Sequence, residues 1–201
     1  MDPGAAAPVI KCLQQQYLQL SSILVTHHHA DHTGGIEELL QHSPVPVFSF
    51  ATIGQADEID LPDLHLKLKV MRIPGHTLDH IAFYNEQMLF CGDTLFGAGC
   101  GRIFEGTATQ MFEALNKLKN LPLNTEVYCG HEYTLANLKF AATVEPENAD
   151  IQQRILQVEQ LRSQNLPSLP SNIEIELATN PFLRVATLEK FIKIRSLKDN
   201  F

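Results

Sequence analysis

The stretch THHHADHTGG, Thr26 to Gly35, holds four of the chain's nine histidines within six positions, with Asp31 among them. Imidazole nitrogens and a carboxylate at this density suit the holding of a metal cation. His27 and His29 stand two apart, so in an extended segment they face the same side. Asp31 continues that spacing, and His32 joins once the chain turns. His28 faces the opposite way and is read as a non-ligand, as are His42 and His65 in polar surroundings. The remnant of an affinity tag would be longer and terminal, whereas this run is internal.

Three other stretches place a His or Asp just after a glycine: PGHTLDH (Pro74 to His80), CGDT (Cys91 to Thr94) and CGHEY (Cys129 to Tyr133). Glycine permits the tight turns and close backbone approach that such a position needs. Taken singly, His76, His80 and His131 read as hydrogen-bonded structural histidines, and Asp93 as a turn aspartate. Added to the histidine run, they raise the candidate ligands to His27, His29, Asp31, His32, His76, Asp93 and His131. A tetrahedral zinc takes about four ligands. The set is too large for one metal and suits two that share a ligand. A carboxylate can bridge and an imidazole normally cannot, so Asp93 is the natural bridge.

These groups need a scaffold that ends several strands at one mouth. Ile23-Leu24-Val25 is a short apolar run that reads as a buried strand and feeds the histidine cluster. Leu66, Leu68 and Val70 alternate with polar residues, as in a half-buried strand. Ile81 to Tyr84 and Met88 to Cys91 flank Asn85-Glu86-Gln87 and read as a hairpin; Glu126 to Cys129 and Val45 to Phe50 read as further strands. Helices are expected over Ala6 to Gln16, with Ile10, Leu13 and Tyr17 on one stripe, and over Ile36 to Gln41. Thr107 and Gln110 have capping-box spacing ahead of a helix carrying Met111, Leu115 and Leu118. After Gly130 the pattern turns helical: Leu135 to Ala142, Asp150 to Gln164 and Leu188 to Leu197, with LPSLP (Leu166 to Pro170) as a break. A boundary falls near residue 132, dividing a β-rich metal-binding part, 1–131, from a helical part, 132–201.

The chain has 201 residues, 44% hydrophobic and 19% charged, with a net charge of −8. That is an ordinary globular composition, and its acidity argues against a general nucleic-acid binder. An anionic substrate stays open, because a few local cations or a metal override the global sign. Four cysteines form no CxxC pair, and reduced thiols are the expectation. No stretch has the roughly 18 apolar residues of a membrane span, and MDPGAAAPVI lacks the features of a signal peptide. A cytoplasmic location follows, or an organelle if a segment precedes Met1. There is no GxSxG, no P-loop and no dinucleotide fingerprint.

THHHADH followed by PGHT, GDT and GHEY resembles the metallo-β-lactamase superfamily. DTLFGAGCGRIFEGTATQM, YCGHEYTLANLKFA, NPFLR (Asn180 to Arg184) and the ending RSLKDNF resemble glyoxalase II, the hydroxyacylglutathione hydrolases, over nearly the whole chain. The resemblance implies an α+β architecture, an αββα sandwich followed by a small helical substrate-binding domain. It also implies two divalent metal ions, zinc first and iron or manganese as alternatives, and hydrolysis of glutathione thioesters, chiefly S-D-lactoylglutathione.

Carried over by position, His27, His29 and His76 hold one metal; Asp31, His32 and His131 hold the other; Asp93 bridges. His80 falls outside the set. A metal-bound hydroxide, with the water's pKa lowered to about 7 as zinc can, is the expected nucleophile, and Asp31 and Asp93 help to neutralise the metal charge. Arg102, Phe104, Tyr133, Arg195 and Lys198 match the glutathione-contacting positions. Some members have Lys and Tyr where this chain has Arg102 and Phe104, so the cation is kept and the Phe104 contact becomes apolar. Members normally carry further strands ahead of the segment matching DPGAAAPV, so the sandwich is expected to be shortened at its N-terminal edge. The expected protein is a monomer acting on a small molecule, without nucleic acid or membrane. The competing readings are a persulfide dioxygenase of the same superfamily, with one iron on two histidines and one aspartate, and an inactive, shortened metal-binding form.

Overall fold

The computed structural model describes every residue from Met1 to Phe201. In chain order the first part runs α1 (Ala6–Gln16), β1 (Ile23–Leu24), α2 (Ala30–Thr33), α3 (Ile36–His42), β2 (Val47–Phe48), α4 (Phe50–Ile53), β3 (Glu58–Leu61), β4 (Leu66–Arg72), β5 (Ile81–Tyr84), β6 (Met88–Gly92), β7 (Leu95–Phe96), β8 (Gly99–Cys100), α5 (Ala108–Leu118) and β9 (Glu126–Cys129). The second part runs α6 (Thr134–Val144), α7 (Ala149–Ser163), β10 (Ser171–Asn172), α8 (Ile173–Thr179), α9 (Pro181–Arg184) and α10 (Leu188–Asp199).

Side-chain alternation builds the layers. In β5, Ile81 and Phe83 join one core cluster while Ala82 joins another; in β6, Leu89 and Cys91 face the cluster that Met88 and Phe90 avoid. Successive residues of a strand point to opposite faces, so a sheet with two apolar sets is covered on both sides. The main sheet has six strands in the order β10-β9-β6-β5-β4-β3, antiparallel except where β6 and β9 run parallel. One face packs on α5, α8, α9 and α10 through Leu89, Met111, Leu115, Ile173, Phe182 and Phe191. The other face meets Leu24 and Phe48 of the parallel β1–β2 pair. Ile23 points away from Leu24, into a separate cluster with Ala6 of α1 and Leu39 of α3. The result is helix, short sheet, long sheet, helix: an αββα sandwich whose first sheet has two strands.

Most element positions follow the sequence expectation. The capping box is present: Thr107 Oγ1 accepts from the Gln110 N–H at 3.2 Å, and Gln110 Oε1 accepts from the Thr107 N–H at 2.8 Å. The strand expected from Val45 begins only at Val47, because Pro44 and Pro46 lack the N–H a ladder requires. Tyr17 does not join the inward stripe of α1. It caps the helix in the left-handed conformation, φ 54°, and is 96% exposed. The hairpin β7–β8 and the helices α8 and α9 were not anticipated.

Candidate metal centre and cavity

Four chain segments deliver the expected ligands to one place, and each does so as a strand ends. β1 runs into His27 to His32, β4 is followed by His76, β6 by Asp93 and β9 by His131. The parallel pairing of β6 with β9 brings Gly92 opposite Cys129, so Asp93 and His131 leave the sheet side by side. The short α2 turns Asp31 and His32 back toward them.

Two donor groups result. His29 Nδ1 lies 3.0 Å from His27 Nε2 and 3.1 Å from His76 Nε2. His131 Nε2 lies 3.3 Å from His32 Nε2 and 3.3 Å from Asp31 Oδ2. Asp93 stands between them, with Oδ1 3.3 Å from His32 Nε2 and Oδ2 3.6 Å from His76 Nε2 and 3.3 Å from His131 Nε2. All seven expected ligands are therefore gathered at this mouth, and Asp93 faces both groups.

The donors fit metal ions. Ligand nitrogens at 2.0–2.1 Å from a tetrahedral zinc stand about 3.3 Å apart, close to the spacings seen here. Asp93 Oδ1 is buried and accepts no hydrogen bond, an arrangement costly for a carboxylate unless a cation completes it. Gly130 permits the approach: a Cβ there would fall 2.4 Å from Asp93 Oδ1 and 2.7 Å from His32 Cε1.

The far side of three of the imidazoles is also held. His76 Nδ1–H donates to the Arg102 carbonyl at 2.8 Å, which turns the Nε2 lone pair toward the donor group. His27 Nδ1 lies 3.0 Å from Thr26 Oγ1. His32 Nδ1 is 3.2 Å from Asp2 Oδ2, a charge contact rather than a linear hydrogen bond. Such outer contacts orient ligands and set their basicity.

Electrostatics separates the two groups. Burial, reinforced by the surrounding imidazoles, holds His27 well below the usual histidine range, and burial likewise lowers His76. Their nitrogens are thus neutral and available. Burial also opposes charge on His32, yet the Asp2 and Asp93 carboxylates outweigh it and raise its pKa to about 10. A proton held so tightly marks negative potential that a divalent cation can take over, with release of the proton.

Two residues that sequence reasoning did not assign belong here. One is Asp2, behind His32 and Thr26; its one signal in the sequence is the DPG stretch that carries part of the family resemblance. His80, set aside as outside the ligand set, is 1% exposed, stacks on His27 at 4.7 Å between ring centroids and accepts the Asp93 N–H at Nε2, 3.1 Å. Burial lowers its pKa to about 3, which keeps that nitrogen free to accept. His28, expected to face away, does so: Nδ1 is 2.9 Å from Asp79 Oδ1 and Nε2 is 3.1 Å from Glu105 Oε1.

Beside the donors lies a cavity of about 450 Å³, with Arg102, Phe104, Tyr133, Arg195 and Lys198 in its wall. Phe104 is 62% exposed and sets its ring edgewise to His29 and His76. Tyr133 stacks on His131 at 4.9 Å. Lys198 Nζ sits 5.0 Å from the Phe140 ring centroid and 5.1 Å from that of Phe201. Arg195 differs from the rest. It is 6% exposed and its Nη1 donates to the Cys100 carbonyl at 2.9 Å, while Nη2 meets Asp199 at 2.9 Å. Much of its hydrogen-bonding capacity is spent inside the protein.

The chain is similar to known proteins along nearly its whole length. Residues 2–58 and 49–131 match the family model of the metallo-beta-lactamase superfamily, and residues 132–201 match that of the hydroxyacylglutathione hydrolase C-terminus. The chain is 52% identical over 193 residues to a hydroxyacylglutathione hydrolase of Methylobacillus flagellatus, covering 92% of this chain and 77% of that protein. It is 50% identical to one of Nitrosomonas europaea, covering 92% and 74%. Among solved structures, ETHE1 from Myxococcus xanthus superposes with TM-score 0.68 at 26% identity, covering 97% of this chain and 77% of that one. The BLEG-1 B3 metallo-beta-lactamase superposes with TM-score 0.68 at 21% identity, covering 92% and 87%. With its relatives at half identity across nearly its whole length, this chain belongs to the hydroxyacylglutathione hydrolase family of the metallo-β-lactamase superfamily.

Proposed function

We propose that this protein is a thioester hydrolase that cleaves glutathione thioesters, S-D-lactoylglutathione foremost, to glutathione and the free hydroxy acid. The observation that carries the reading is Asp93 standing between two donor groups on the floor of a cavity walled by cations. His27, His29 and His76 would hold one metal ion and Asp31, His32 and His131 a second, with Asp93 shared. When bound, two divalent ions, zinc by the chemistry of the donors and iron or manganese as alternatives, supply an activated water at neutral pH and polarise a carbonyl.

The chain's own residues do the rest. Asp31 and Asp93 offset part of the positive charge. His76 is held by the Arg102 carbonyl, and Asp93 by His80. Arg102 and Lys198 would receive the carboxylates of glutathione, which lets an acidic protein bind an anion at one mouth. Phe104 offers an apolar edge above His29 and His76. A thiolate is a good leaving group, so no strong general acid is needed. In this reading residues 1–131 hold the metals and 132–201 complete the substrate wall.

The test is hydrolysis of S-D-lactoylglutathione by the metal-loaded chain, read as released thiol with metal content measured in parallel. Loaded protein that releases no thiol would sink the reading. Oxygen uptake with glutathione persulfide would favour the dioxygenase instead.

A further inference from the structure

The hairpin β7–β8 stands on both halves of the donor set. Its first strand follows Asp93 and Thr94 directly. Its second leads into Gly101 and Arg102, whose carbonyl orients His76. The feet are tied together by the Gly101 N–H to the Thr94 carbonyl, 3.2 Å. Yet the hairpin has only two ladder positions, Leu95 with Cys100 and Phe96 with Gly99. Its turn places Ala98 at φ 53°, a left-handed conformation that a residue bearing a Cβ avoids. Two short strands around such a turn do not hold themselves.

What holds the tip is a buried polar cluster from the C-terminal helices. Glu176 of α8 accepts the Ala98 N–H at Oε2, 2.8 Å, and the Ser171 hydroxyl at Oε1, 2.6 Å. Asn180 donates through Nδ2 to the carbonyls of Phe96 at 3.2 Å and Gly99 at 2.9 Å, and to Glu176 Oε2 at 3.0 Å. Asn137 of α6 donates to the Gly97 carbonyl at 3.1 Å. Glu176 and Asn180 are 1% and 0% exposed. The fit is close: a Cβ on Gly97 would fall 2.4 Å from Thr134 Oγ1.

We infer that Glu176 and Asn180 are positioning residues, which set the hairpin so that Asp93 and the Arg102 carbonyl hold their places around the donor groups. The C-terminal helices thereby shape the metal centre as well as the substrate wall. The inference rests on the reading of that centre as a metal site. Neither side chain touches a donor atom; both act through the hairpin backbone.

The test uses the full chain loaded with cobalt(II), following the visible absorption of the bound ion, chelator competition and thermal melting. Glu176→Ala should weaken the affinity for the less tightly held ion by about tenfold or more and alter the spectrum. Glu176→Gln keeps an acceptor for Ala98 and Asn180 and a donor for Ser171, so it should restore both. Asn180→Asp keeps the side-chain shape and the cap on α9 but loses the donor protons, and it should behave like Glu176→Ala. It carries the comparison if Glu176→Ala does not fold. Folded variants with wild-type affinity and spectrum, whatever their melting temperature, overturn the inference alone. Wild-type chain that binds no cobalt overturns the metal-site reading and the inference with it.

Discussion

Asp2 and His32 meet with Oδ2 3.2 Å from Nδ1, while the same carboxylate accepts the N–H and hydroxyl of Thr26 at 2.8 Å each. One buried side chain thus fixes both the start of the histidine run and the rear of a candidate ligand. Asp2→Ala should weaken binding at the His32 position by about 10–100-fold, the usual cost of a lost outer contact. It should also destabilise the fold by about 1–3 kcal/mol through the stranded Thr26 donors. Chelator competition and melting curves measure the two effects, and unchanged metal affinity would show that Asp2 serves the fold alone.

Asp93→Ala should reduce bound metal below two ions per chain and lower kcat by more than about 100-fold, beyond what outer contacts cost. Metal analysis of the purified variant is decisive, since full occupancy is incompatible with a shared carboxylate.

Lys198 and Arg195 should separate in kinetics. Lys198 lies at the cavity wall, so Lys198→Ala should raise KM about tenfold and leave kcat nearly unchanged, the pattern of uniform binding. Arg195 also holds the Cys100 carbonyl that precedes Gly101 and Arg102. Arg195→Ala should therefore lower the melting temperature and kcat as well as raise KM. A pure KM effect at Arg195 would contradict the structural role.

Glu176 gives a pH prediction. Burial pushes its carboxyl above the usual range, and the bonds from Ser171, Asn180 and Ala98 offset this only in part. The native chain therefore holds that proton more firmly than the unfolded chain. The contribution to stability is fully present below the unfolded pKa of about 4.3 and is lost as pH rises through the higher native value. Glutamine does not titrate. The stability of wild type relative to Glu176→Gln should accordingly decline with rising pH across that window, and denaturant titrations of both proteins at several pH values will show it. A flat difference would mean that the carboxyl is ionised alike in both states.

His28→Ala should leave metal content intact and cost under about 1 kcal/mol, because exposed ion pairs contribute little. Loss of a metal ion from this variant would place His28 inside the donor set, against its contacts with Asp79 and Glu105.

The sequence alone was sufficient for what depends on near neighbours. Alternation in β4, the hairpin of β5 and β6 around Asn85-Glu86-Gln87, and the capping box of Thr107 and Gln110 are short-range patterns, and each emerged where expected. The seven candidate ligands were legible there too, as residue types with glycines beside them, and the structure brings their side chains to one mouth. What only the tertiary structure decided is how distant segments meet. The placing of Asp93 beside His131 and between the two donor groups depends on β6 lying parallel to β9, a pairing with no local signature. The hairpin in DTLFGAGCG has too few ladder positions to announce itself and is held by side chains some 40 to 80 positions further along the chain. Arg195 was expected among the glutathione contacts from the resemblance alone; its burial and its bond to the Cys100 carbonyl come from packing that the local sequence does not encode. Tyr17 matched the helical stripe but fell at the point where α1 ends. Periodicity reports which face of an element is apolar; it cannot report which other element will cover that face, because that depends on the packing of the whole chain.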